Sequence, residues 1–203
     1  MKKSFWIVMI LIGLMVASVY GGELTELGIK GGLSHSNFSD KDHSFWDSKN
    51  GPLAGAYLTY SFSDTFGVQL EGLYVMKGSK VSESGVNAKT ELNYAEINLL
   101  AVLQAPTYPH TKVLLGPGIG FYLTGEARYN VNDSRFPFSG TRVIETTDVN
   151  SPEYLFITGI EYRRSHLLIG ARYAWGLNHV FTKDYWDFNV KNTTLQVLAG
   201  FYF

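Results

Sequence analysis

The 203-residue chain is 45% hydrophobic and 15% aromatic but only 17% charged, with a net charge of −1, 21 glycines and no cysteine. A soluble domain carries about 25% charged residues, and a disordered chain is charge-rich and aromatic-poor; neither description fits. The absence of cysteine excludes a disulfide scaffold, a thiolate metal site and a thiol nucleophile, and the near-neutral charge offers nothing to a nucleic acid.

Lys2 and Lys3 precede an apolar run from Phe5 to Ala17, followed by the small residues Ser18, Gly21 and Gly22. A basic start, a short apolar stretch and a small-residue zone make a secretory signal peptide. Cleavage is expected after Gly21, leaving 22–203 as one domain. The apolar run is too short to span a bilayer, which takes ~20 residues. Nothing later is longer; Leu99 to Leu103 is the best the rest offers. An exported chain of this kind can live in a membrane only as a closed barrel, since nothing else satisfies the backbone there.

The remaining sequence alternates with period two, the mark of half-apolar strands. Taken in order, the segments are 24–35, 53–63, 66–77, 91–104, 112–126, 153–163, 166–177 and a last one ending at Phe203. Each is long enough to cross a bilayer as a tilted strand of ~9–11 residues. The connections between them alternate: long at 37–51, short at Ser63-Asp64-Thr65, long at 78–90, short at 105–111, long at 127–152, short at Arg164-Ser165, long at 178–192. Short periplasmic turns and long outer loops are the pattern of an outer-membrane barrel. The reading is an all-β, eight-stranded antiparallel up-and-down transmembrane β-barrel in a bacterial outer membrane.

One face of these strands is apolar, as in Leu27, Ile29 and Leu33, or Ile97, Leu99 and Leu103. The other is rich in glycine, among them Gly28, Gly116, Gly118 and Gly120, interspersed with Glu26, Lys30, Gln69, Glu71, Glu96, Asn98, Arg172 and Gln196. Eight strands leave a lumen just wide enough for side chains, so large charged groups there need small neighbours and opposite charges. Glu71, Glu96 and Arg172 are the expected lumen ion-pair network. The segment 153–163 is ambiguous because both its faces are partly apolar. Pro117, flanked by glycines within a strand, predicts a bulge or bend. The rival fold is a soluble lipocalin-like barrel, apolar inside. Against it stand the glycine-rich polar face, the alternating loops and two groups of aromatics: Tyr60, Phe62, Phe66 and Tyr162 near the short turns, Tyr74, Tyr129, Tyr154 and Trp175 near the long loops. Two aromatic bands fit two bilayer interfaces.

Tyr94-Ala95-Glu96-Ile97-Asn98-Leu99-Leu100 resembles the strand motif Tyr-x-Glu-Ile-Pro-Leu-Leu of PorT-type outer-membrane β-barrels, the porin-family proteins common in the Bacteroidetes. Asn98 stands where that family usually has proline. Gly116-Pro117-Gly118-Ile119-Gly120-Phe121 is similar to the family's next strand, and Arg172-Tyr173 with Gly176-Leu177 to its Arg-Tyr…Gly-Leu strand. The resemblance implies a barrel whose last strand, with Phe201 and Phe203, is read by the barrel-assembly machinery. It also implies a role in secretion or at the surface.

For chemistry, His35 lies between Ser34 and Ser36, and His43 precedes Ser44. A lipid hydrolase would pair Ser with His, but neighbours on a strand face opposite ways and no Gly-x-Ser-x-Gly elbow occurs. Asp40, Asp42, His43 and Asp47 fall short of a calcium loop, which needs Gly at its sixth position and Glu at its twelfth. No metal, cofactor or catalytic site is expected. Function belongs to the long loops 36–51, 127–152 and 178–192, with Trp46, Phe136, Phe138 and Trp186 as contact candidates. The leading expectation is a monomer with a filled lumen, set in outer-membrane lipid and touching a surface protein or secretion partner through its loops. The alternatives are a lipid-modifying enzyme using His35 or His43, a narrow solute channel, and the lipocalin-like barrel.

Overall fold

A computed structural model of the chain describes residues 23–39, 47–83, 86–131, 138–145, 148–181 and 190–203. The expected signal segment 1–21, His43 and the loop aromatics Trp46, Phe136 and Trp186 lie outside the described residues, as does the side chain of Phe138.

The described strands are β1 (Glu23–Ser39), β2 (Asp47–Ser61), β3 (Phe66–Glu83), β4 (Val86–Gln104), β5 (Thr111–Val131), β6 (Phe138–Ile144), β7 (Glu153–Arg164), β8 (Leu167–Gly176) and β9 (Lys191–Tyr202). Eight of them close a ring of antiparallel pairs, β9 returning to β1 through pairs from Gly28↔Tyr202 to Ser39↔Lys191. This is the eight-stranded antiparallel barrel that the alternation predicts. β6 stands outside the ring, paired to the outer part of β5.

Period two decides what each face meets. Leu33 and Ile169 are each 61% exposed, while Glu71 and Glu96 are 1% exposed. The apolar side points out and the charged side in, the reverse of a lipocalin. In lipid, a closed ring leaves no strand edge for the solvent to satisfy. Inside, apolar side chains share the lumen with the charges. Leu53, Tyr57, Leu73, Val75, Leu168 and Leu198 pack on one side. Leu100, Val102, Leu114, Leu155, Ile157 and Ala174 pack on another. β7 resolves its ambiguity here: Glu153, Leu155, Ile157, Glu161 and Arg163 are buried, and Tyr154, Phe156, Ile160 and Tyr162 face out.

The short turns are local. Phe66 N donates to the Ser63 hydroxyl at 3.1 Å. Between β7 and β8 the turn residues are Ser165 and His166, with φ of 49° and 71°, one position later than expected. Two positive φ values suit the twist of a two-residue hairpin.

The long connections are shorter than the sequence predicts, because the strands run on. The expected loop 78–90 is instead a paired ribbon, β3 and β4 in register without a break from Phe66↔Leu103 to Glu83↔Val86. The expected loop 127–152 contains the end of β5 and all of β6. The ribbon sequence 78–90 is mostly polar, so no alternation shows there; outside the membrane a hairpin needs no apolar face. At the base of the ribbon, Gly78 has φ of 150°. The position has no room for a side chain, since a Cβ there would meet Thr90 O. The Ser36 hydroxyl takes the Gly78 N–H at 2.9 Å and donates to its carbonyl at 3.0 Å.

The bulge expected at Pro117 is not there. Pairing with β7 runs straight through Pro117↔Phe156. Pairing with β4 stops at Asn98↔Gly118 and resumes at Ala101↔Leu115 in the same register. The missing proline donor costs pairing on one side without displacing the strand. The register shift lies further out, between Asn93 and Tyr94.

Candidate functional site

Two ion-pair clusters fill the lumen. In the first, Lys112 Nζ lies 2.5 Å from Glu26 Oε1, and Arg163 binds Glu26 through Nη1 and Glu161 through Nη2 at 2.5 Å. Lys30 Nζ joins Glu161 at 2.9 Å to Glu71 at 2.8 Å, and Arg172 Nη1 closes on Glu71 Oε2 at 2.6 Å. Glu71 also accepts from Gln69 at 2.7 Å and Asn98 at 3.1 Å. In the second, Lys77 Nζ sits 2.7 Å from Glu96 and 2.9 Å from Glu153. Four cations meet three carboxylates in the first cluster, and one cation meets two in the second. The excesses cancel across the lumen, which is how so many charges can be buried together.

Tyr57 is part of the same packing. Lys30 Nζ lies 4.3 Å and the Arg163 guanidinium 5.2 Å from its ring centroid, cation–π distances. Gly28 makes the room: a Cβ there would fall 2.6 Å from the Tyr57 ring.

Over these clusters lies an apolar cap of Phe38, Leu92, Tyr94, Tyr122, Ile144, Val149, Val180, Phe181 and Val190. Phe38 meets Phe181 edge to face at 5.7 Å, and Tyr94 meets Tyr122 at 6.0 Å. Asn150 fastens it, its Nδ2 donating to His179 O at 3.1 Å and Phe181 O at 2.9 Å.

Above the bilayer, β3, β4, β5 and β6 continue as a raised sheet. Lys89 pairs with Glu91 at 2.7 Å, Lys49 reaches Glu91 at 3.3 Å, and Arg128 pairs with Glu126. The hydrogen bond from Lys89, aided by Lys49, holds the Glu91 carboxyl below its usual range against the opposing effect of burial. Burial pushes the Lys49 ammonium down. β6 ends the strand order, so among the described residues its second edge pairs with no strand.

Of the residues named from sequence, Glu71 and Arg172 meet directly, and Glu96 stands apart with Lys77. Phe201 and Phe203 sit at the end of β9, rings 5.2 Å apart, with Phe203 N donating to Leu27 O at 2.9 Å. His35 faces out and shares a 2.7 Å contact with Asn50. Ser34 and Ser36 face in, bonded to backbone carbonyls. No described serine lies against His35. Sequence reasoning missed Lys77, Lys112, Glu153, Glu161 and Arg163. The Glu161-x-Arg163 spacing, which puts opposite charges on one strand face, was the available signal.

Residues 23–182 match the family of outer membrane protein beta-barrel domains. Among solved structures, the fold is similar to Ail, the attachment invasion locus protein of Yersinia pestis, at a TM-score of 0.50 and 17% identity over 89% of this chain and 100% of that one. It is also similar to Neisserial surface protein A, TM-score 0.45 and 16% identity over 90% and 99% of the two chains. A third is OprG of Pseudomonas aeruginosa, TM-score 0.41 and 13% identity over 91% and 98%. Among curated proteins the sequence finds no match.

Proposed function

The chain belongs to the outer membrane protein beta-barrel domain family, and from that premise we propose that it is a surface-interaction barrel with a plugged lumen. The observation that carries the reading is the raised sheet, whose last strand β6 has, among the described residues, no strand on its second edge. Such an edge is a template for an added strand of a partner chain. The two ion-pair clusters serve as the plug: every carboxylate in them has a cation within 2.9 Å.

The motifs at 94–100, 116–121 and 172–177 support a PorT-like kinship within the family. Export through a signal cleaved after Gly21, delivery to the assembly machinery by Phe201 and Phe203, and a monomeric state complete the reading. Trp46, Phe136, Phe138 and Trp186 are the proposed further contact residues.

The test is binding by cells that display the barrel to immobilised surface proteins. Replacing 127–142 with an Asn-Gly turn removes all of β6 but Val143 and Ile144, and the outer end of β5. Binding is expected to disappear while the heat-dependent gel shift of a folded barrel stays. Undiminished binding without β6 would refute the assignment of the contact to this edge.

A further inference from the structure

We infer that the chain docking at the β6 edge is an acidic extended segment of a partner protein, with a carboxylate placed beside Thr141. The inference rests on β6 as the docking edge and adds the chemistry of what docks there.

Residues directly opposite on neighbouring strands share a face of the sheet. Register lines up one such row across the outer part of the molecule. Asp47 of β2 stands opposite Lys80 of β3, Lys80 opposite Lys89 of β4, Lys89 opposite Arg128 of β5, and Arg128 opposite Thr141 of β6. The row lies on the solvent side: Asp47, Lys80, Arg128 and Thr141 are exposed, whereas Ser79, next to Lys80 on its strand, is buried. Three cations thus stand directly opposite one another, which disfavours the pairing unless anions flank them. At the β2 end Asp47 supplies one. At the β6 end the row stops at the neutral hydroxyl of Thr141.

The carboxylates nearest this row are engaged. Glu91 and Glu126, opposite each other two residues closer to the bilayer, are held by Lys89 at 2.7 Å and Lys49 at 3.3 Å, and by Arg128. The Arg128 side chain nonetheless stays 58% exposed and meets Glu126 through Nη2. A guanidinium carries five donors, enough for a second carboxylate. A strand added to β6 would lie two spacings of about 4.8 Å from β5, and the short Thr141 leaves the way open between Arg128 and a long acidic side chain there. On the same face, Val143 is 71% exposed. It suits an apolar residue two positions from the acid on the incoming strand.

A second copy of this chain does not supply that acid. β6 reads Phe-Ser-Gly-Thr-Arg-Val-Ile, with arginine as its one charged residue. Two β6 edges side by side would bring no carboxylate to either row.

The experiment uses the full barrel in phosphatidylcholine vesicles and three fluorescent, end-capped peptides of alternating Thr and Val. One central Thr is replaced by Glu, Gln or Lys. In anisotropy titrations the Glu peptide is expected to bind about threefold or more tighter than the Gln peptide, and the Lys peptide weakest, as cross-strand charge pairing requires. Arg128→Gln should bring the three affinities together, and Arg128→Glu should invert the order of the Glu and Lys peptides. The Gln peptide reports the edge alone and should bind these variants as it binds the unaltered barrel. Replacing 127–142 with Asn-Gly should abolish binding of all three. Equal affinities that vanish with that replacement would overturn the acidic assignment and leave the edge reading standing. A preference for Glu that persists in Arg128→Glu would also overturn it. Binding that survives the replacement, or no binding by any peptide, would overturn both.

Discussion

At Glu71, one carboxylate holds Lys30, Gln69, Asn98 and Arg172 at once. Replacing it with glutamine leaves the buried Arg172 without its carboxylate and Lys30 with Glu161 alone, and breaking a buried pair costs about 3–5 kcal/mol. Lys89→Gln removes a pair with Glu91 whose lysine side chain is 41% exposed, and exposed pairs contribute ~0–1 kcal/mol. Urea unfolding of the barrel in bilayers should show a large loss for Glu71→Gln and almost none for Lys89→Gln; equal losses would mean that the lumen is wet enough to screen its charges. Glu71 and Arg172 could be read from sequence because they interrupt glycine-rich strand faces. The partners of Glu96 could not. Lys77 sits where the alternation of its strand fades, and Glu153 and Glu161 lie in a segment with apolar residues on both faces. A strand pattern says which way a side chain points, but a pair across the lumen depends on register, and register is set by the closed ring.

At the scale of elements, sequence located the membrane-crossing part of each strand and missed the outer extensions of β1 to β5 and all of β6. The lipid writes the alternation, so the signal ends with the bilayer: Ala95 still belongs to the apolar face, while Asn93 and Glu91 do not. Beyond that point β3 and β4 are held by backbone pairing and by contacts such as Lys49–Glu91–Lys89. These contacts make the ribbon sensitive to acid. Its Glu91 carboxyl is held below the ordinary range by the Lys89 hydrogen bond, so the charged form favours the folded ribbon. That contribution is complete above the ordinary glutamate value of about 4.3 and disappears as pH falls through the lowered folded value. Hydrogen exchange at 79–83 and 86–91, corrected for intrinsic rates, should therefore accelerate in acid relative to neutral pH. Amides of β7 and β8 within the membrane should not change. Glu91→Gln should remove the pH step; its persistence would assign the step to another group.

For the whole molecule, scarce charge and abundant apolar surface have one explanation. The apolar half of each strand faces lipid, and the charges left over are divided between the raised sheet and a lumen in which they cancel. A lumen filled in this way should not conduct. The first cluster blocks it from Lys112 to Arg172, the second at Lys77, and the cap lies above both. The barriers are made by different side chains, although both clusters draw on β3 and β7, so losing one should not open a path. Asn150→Ala frees two carbonyls at the cap, His179 O and Phe181 O, yet planar-bilayer recordings should stay silent because the ion pairs beneath are untouched. Lys30→Ala, Glu71→Ala and Arg172→Ala together empty the middle of the first cluster but leave Lys77, Glu96 and Glu153 in place, so they too should give no steps. Current is expected only when Lys77→Ala, Glu96→Ala, Glu153→Ala and Asn150→Ala are all added, provided the heat shift shows an intact barrel. Steady current through the unaltered protein would mean that the clusters part and re-form on the time scale of ion passage, and the plug would then be a gate.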